Sequence, residues 1–152
     1  MVQMSWNLIY RLRCSLRWLW LQEGTPGYKA RGLAIGVFCG CFPLFGLQTI
    51  LGIGLASLFR GNHLLAISGT WISNPFTYLP LYLLNYKVGA AILFDGQIVS
   101  PLEVFNWQAL WEQGWIFGIR LFLGSLLVGL LGGVMTGLLV YLVLKSRSLK
   151  SQ

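Results

Sequence analysis

The sequence predicts an all-helical integral membrane protein with proline-broken or re-entrant helices. Three observations carry that prediction. Of 152 residues, 56% are hydrophobic and only 10% charged, against roughly 25% charged in an average soluble domain. Its uncharged stretches reach or exceed the roughly 20 residues that cross a bilayer. Prolines fall inside those stretches, where an unbroken helix does not tolerate them. A mean hydropathy of +0.68 also excludes a disordered chain, which needs low hydrophobicity and high net charge. The length is that of one domain, here divided into an amphipathic N-terminal helix over 1–27 and a single membrane domain over 28–152.

The net charge of +7 is spread as +4 over 1–31, +1 over 32–86, −2 over 87–114 and +4 over 115–152. Basic excess beside membrane helices marks the cytoplasmic side, so both termini are expected inside and the number of full crossings even. No groove-reading motif accompanies the dispersed Lys and Arg. The expected partner is therefore membrane lipid and not nucleic acid.

At the N-terminus, Leu8, Ile9, Leu12, Leu16, Leu19 and Trp20 share one helical face opposite Asn7, Arg11, Ser15 and Gln22. That pattern suits a helix lying in the membrane interface. Arg11, Arg13 and Arg17 interrupt any signal-peptide core, so the segment is expected to be retained. GTPG at 24–27 is expected to end it.

Residues 32–59 hold no charge over 28 positions. As one helix they would measure ~42 Å, beyond a ~30 Å hydrocarbon core. Pro43 lacks an N–H and pushes Phe42 out of helical geometry, with Gly40 and Gly46 on either side. Two short helices joined at CFPLFG are expected. Arg60, Gly61 and Asn62 then supply a terminal cation, a left-handed glycine and a cap for the next helix.

The second apolar segment, 63–94, is interrupted the same way: Asn74 is expected to cap and Pro75 to open a new helix at its first position. Aligning 33–52 with 65–84 matches six positions in twenty, including both prolines, the pattern of an internal repeat. After an Asp95-Gly96 turn, Ser100, Pro101 and Glu103 form a capping box that begins an amphipathic helix over 101–114. Its Trp107 and Trp111, followed by Trp115, recur every fourth residue and lead into a span over 115–144. Along that span Ser125, Gly129, Gly133 and Gly137 form a small-residue stripe that lets another helix approach closely, within the subunit or between subunits.

Little here suits catalysis. One histidine and four carboxylates offer no apolar-embedded acid–base pair, so an enzyme is not expected. His63 reads as a wet cap or headgroup contact. Cys14, Cys39 and Cys41 read as buried apolar thiols and not as metal ligands, and no cofactor or metal is implied. Tyr78, Tyr82 and Tyr86 recur every fourth residue, as a packing stripe or as a hydroxyl-lined face. The stronger pattern is the pair of interruptions at Pro43, Gly46 and Pro75, because irregular backbone at membrane depth must be buried in protein or line a cavity. Gln48, Thr49, Asn74 and Thr77 are the polar side chains beside them. They serve either to bind a ligand or to satisfy freed backbone groups. Arg120, one turn into the last span, could pair with a phosphate or with Glu112, although snorkelling to the interface is the simpler reading.

GLAIG at 32–36, FPLFGLQT at 42–49, Arg60 with Asn62, and WISNPFT at 71–77 together resemble a bacterial membrane family, the domain of unknown function numbered two thousand and sixty-two. The likeness runs over about 28–94 and continues loosely into the last helix; Gly61 departs from it. The resemblance implies a small helical inner-membrane protein, joined in some members to glycosyltransferase domains that these residues do not contain. It supplies no activity and no site residues. Two function classes are expected. One is transport or lipid handling at a site between the two broken segments. The other is a non-catalytic scaffold or partner subunit, forming a homo-oligomer or joining another membrane protein through the glycine stripe. A bacterial inner-membrane, multi-pass location is expected in both, with one broken segment re-entrant. The first segment is the better candidate, since Arg60 then stays inside.

Overall fold

The computed structural model describes residues 24–44, 46–93 and 107–149, with side chains in the last stretch from 114 to 147. The expected helix over 1–27 up to residue 23, the Asp95-Gly96 turn, the capping box at 100–103 and the side chains of Trp107, Trp111 and Glu112 lie outside the described residues. Within them all regular structure is helical: α1 Pro26–Gly40, α2 Leu47–Leu58, α3 His63–Thr70, α4 Tyr78–Ile92 and α5 Trp107–Leu149.

GTPG begins a helix; the helix it was expected to end lies outside the described residues. Thr25 is the N-cap of α1, its Oγ1 accepting from Tyr28 N–H at 3.3 Å, and Pro26 takes the first turn, where a missing N–H removes no helical bond. The interruption at Pro43 is present. α1 closes with Cys41 N–H on Val37 and Phe38 carbonyls, and α2 restarts behind Gly46 at a φ of 78°, a conformation that glycine adopts without steric penalty.

The turn between α2 and α3 differs from expectation. Arg60, not Gly61, takes the left-handed conformation, with φ 50°. Gly61 is small for another reason: a Cβ there would lie 2.9 Å from the Gly32 nitrogen. Asn62 caps α3 as expected, accepting from Leu65 N–H at 3.0 Å. Its own N–H donates to Tyr28 carbonyl at 3.1 Å, which brings the chain back beside the start of α1. The first apolar segment is thus a hairpin that reverses at Pro43 and returns to its own starting level.

The second interruption spans 71–77, and α4 starts at Tyr78 rather than at Pro75. Asn74 caps one isolated turn, accepting from Phe76 and Thr77 N–H groups at 2.9 and 3.0 Å. Pro80 has no N–H to give the Phe76 carbonyl, so the regular ladder begins one residue on, with Leu81 N–H on Thr77 carbonyl at 3.0 Å. From there α4 continues away from the hairpin.

α5 is a single helix of 43 residues, in which the described part of the helix expected over 101–114 runs without a break into the span expected over 115–144. Within it Gly114–Arg147 is the one described stretch long and apolar enough to cross a membrane. It runs antiparallel to both α1 and α4, which lie end to end along it. Ala30 and Ala34 face Gly137, Phe38 faces Gly133 and Gly129, and then Asn85 faces Gly124 and Gly89 faces Arg120. The glycine stripe is therefore filled by α1 of the same chain. α2 and α3 pack on the other sides of α1, where Gly36 meets the backbone of Ala66 and Gly69.

Candidate functional site

The two interruptions meet. A Cβ on Gly40, at the end of α1, would sit 2.7 Å from Ile72 and 3.0 Å from Thr70 carbonyl. Ser73 Oγ donates to Gln48 Oε1 at 3.0 Å, and Thr49 and Thr70 hydroxyls lie 3.4 Å apart. Each bond joins one broken segment to the other.

Helix ends leave carbonyls without partners, and inside an apolar bundle each must be satisfied. Asn85 performs this for the first interruption. Its Nδ2 donates to Cys41 carbonyl at 2.8 Å and to Ser125 Oγ at 2.9 Å, and the side chain is 0% exposed. Tyr82 hydroxyl donates to Phe42 carbonyl at 3.4 Å. The position is possible because Gly124 lets the Asn85 backbone lie directly on α5. Asn85 Oδ1 is buried without a hydrogen-bond partner among the described residues.

The second interruption satisfies itself. Thr77 Oγ1 accepts from Asn74 N–H at 3.0 Å and donates to Ile72 carbonyl, alongside the two bonds that Asn74 Oδ1 accepts. Asn74 and Thr77 are exposed, while Gln48, Thr49 and Ser73 are half-buried. Among the described residues neither Asn74 Nδ2 nor Gln48 Nε2 has a partner. The result is a patch of amide donors and hydroxyls open to the outside. It is surrounded by Leu47, Ile50, Trp71, Phe76 and Leu79, each more than half exposed.

Gln48, Thr49, Asn74 and Thr77, expected beside the interruptions, lie at the junction, and Arg120 lies apart from it. Arg120 does not snorkel. It is 4% exposed, and its Nη1 donates to Tyr86 hydroxyl at 2.7 Å, with the guanidinium 5.7 Å from that ring. Tyr86 stacks in turn on Phe117 at 5.0 Å. This second polar group lies five residues before Ser125, ~7.5 Å along α5. The tyrosine stripe therefore serves both packing and hydrogen bonding. Asn85 was missed, although a lone amide in YLLNYK is the signal that could have found it. Ser125 was read as a packing residue alone.

At the opposite end, exposed Ser57 Oγ lies 2.8 Å from His63 Nε2. The same hydroxyl donates to Ile53 carbonyl at 3.0 Å, an arrangement in which the imidazole donates to the serine. Among the described residues no cluster of His, Cys, Asp or Glu is arranged to hold a metal.

The family described as "Uncharacterized protein conserved in bacteria (DUF2062)" matches residues 10–152. No curated protein and no solved structure matches the chain.

Proposed function

The chain belongs to the DUF2062 family of bacterial proteins, and from that membership and the geometry of the two interruptions we propose a multi-pass inner-membrane protein that handles lipid where its broken segments meet. The single observation that carries this reading is the open polar patch of Gln48, Ser73, Asn74 and Thr77, set part-way along α5 in an exposed apolar surface. A polar solute crossing a membrane needs an enclosed path. The carbonyls best placed to coordinate one, those of Cys41 and Phe42, are occupied by Asn85 and Tyr82. Donors facing outward toward hydrocarbon suit instead the phosphate and ester oxygens of a phospholipid headgroup drawn in from the bilayer. No catalytic step is part of this proposal.

The membrane setting rests on the exposed apolar surface. Leu126, Leu130, Leu131, Val134, Met135, Leu138 and Leu139 of α5 are all more than 40% exposed, an apolar face far beyond the patches of soluble monomers. Lys29, Arg31, Arg60, Lys145 and Arg147 gather at the end where α1 begins and α5 ends, and this basic excess supports the reading that this end is cytoplasmic. The hairpin of α1 and α2 is then re-entrant, α3 with α4 makes one broken crossing, and α5 makes the second. The scaffold reading through Ser125, Gly129, Gly133 and Gly137 has less support, because α1 of the same chain packs against that stripe.

Reconstituting the full chain into vesicles with a fluorescent phospholipid tests the function. Movement between leaflets should exceed that in protein-free vesicles, and Asn74→Ala and Gln48→Leu should each reduce it at least severalfold while insertion is retained. Equal rates with and without protein would refute the proposal.

A further inference from the structure

A groove of about 430 Å³ between α1, α2 and α5 is lined by apolar residues including Ala34, Phe38, Leu55, Leu130 and Val134, with Arg31 as its one charged wall. A second hollow of about 430 Å³ shares Arg31, Ala34, Gly133 and Val134 with it and reaches Gly27 and Tyr141. Together they follow α5 from Gly129 to Tyr141. At 1.5 Å per residue that is ~18 Å, close to the depth of one leaflet of a ~30 Å hydrocarbon core. The groove exists because small residues hold α1 against α5, leaving the larger side chains of α2 to form the opposite wall.

Among the described residues the charge at the mouth of the groove is of one sign. Arg31 is exposed and makes no hydrogen bond or ion pair among the described residues. Arg60 follows Phe59, itself a groove wall, and Gly61 lies on the Arg31 backbone. Lys145 lies over the Tyr141 ring at 5.7 Å from its centroid. The four carboxylates of the chain, Glu23, Asp95, Glu103 and Glu112, all fall outside the described side chains.

We infer that this groove seats one acyl chain of an anionic phospholipid from the cytoplasmic leaflet, with its phosphate at Arg31. The apolar walls take the chain, each buried methylene contributing favourably, and a basic mouth between membrane helices is the chemistry that holds an anionic headgroup. A zwitterionic lipid fits less well, because it brings an ammonium to a mouth whose charged lining residue is Arg31. The inference rests on the membrane reading above and adds the class of lipid. It concerns residues other than those of the Gln48 and Asn74 patch.

The test is native mass spectrometry of the full chain purified in mild detergent and offered equal phosphatidylglycerol and phosphatidylcholine. Phosphatidylglycerol should be retained at least about fivefold over phosphatidylcholine, and Arg31→Gln should remove about fivefold of that preference, the scale of one surface cation on anionic lipid. Val134→Trp, at an exposed wall position, should fill the groove and lower retention of both lipids. Equal retention of the two lipids, or retention unchanged in both variants, overturns the inference. So does a lipid-free dimer that Val134→Trp dissociates, since a second copy then occupies the groove. Alkaline washing of membranes separates the two levels of failure. Protein released by the wash overturns the membrane reading and this inference with it, whereas protein that stays embedded yet carries no preferred lipid overturns this inference alone.

Discussion

Asn85 joins three parts of the chain that are distant in sequence. Its amide takes the carbonyl left open by Pro43 and the hydroxyl of Ser125, and Gly124 leaves room for it to do so. Replacing it with leucine keeps the volume but strands the Cys41 carbonyl in an apolar setting. A buried group left unsatisfied costs about 1–3 kcal/mol in proteins generally, and polar contacts between membrane helices average about 0.6 kcal/mol, with a maximum near 1.7 kcal/mol. Asn85→Leu should therefore destabilise the bundle by about 1–2 kcal/mol, read as a lower unfolding midpoint in detergent. Asn85→Asp should be worse, because it places a carboxylate beside a carbonyl oxygen with no described cation bonded to it. If both variants unfold with the wild type, Asn85 has no structural role at the interruption.

At the level of elements, α1 is the centre of the packing. One side meets the glycines of α5 through Ala30, Ala34 and Phe38, and another meets α3 through Gly32, Gly36 and Gly40. These last three recur every fourth residue and form a second small-residue seam, which the sequence carries as plainly as the one at 125–137. In GLAIG it reads as one apolar run among several, because composition does not say which partner a glycine serves. The carbonyl of Ala66 occupies the space where a side chain at Gly36 would go. Gly36→Leu should force α3 off α1 and destabilise by more than the 1–3 kcal/mol typical of overpacking. Gly54→Leu, at a position with no atom within 4 Å of an added Cβ, should leave the unfolding midpoint within about 0.5 kcal/mol of wild type.

For the whole molecule, the return of Asn62 to Tyr28 decides the path of the chain. In the proposed membrane setting a first segment that crossed fully would bring Arg60 out opposite Lys145, whereas the proposed re-entrant hairpin brings it out on the same side. A membrane-impermeant maleimide should therefore label Arg60→Cys and Ser146→Cys from the cytoplasmic face alone and Gly114→Cys from the periplasmic face alone, above the background of the native cysteines. Labelling of Arg60→Cys from the periplasm would refute the re-entrant path.

The all-helical class, the existence and place of both interruptions, the cap at Asn62 and the side chains around the junction are legible in the sequence, because each depends on local rules: hydrophobic length, a missing proline N–H, a side chain that reaches the next amides. The start of α4 was displaced by the equally local effect of Pro80. What sequence could not reach were facts about distance between segments. That Arg60 rather than Gly61 turns left-handed comes from how tightly Gly61 lies on Gly32. That Arg120 is buried against Tyr86 rather than drawn to an interface, and that α1 of the same chain packs along the stripe at 129–137, come from α1 and α4 lying end to end along α5. Such facts are set by close packing among segments far apart in the chain, and no pattern within a single segment encodes which neighbour will fill its groove.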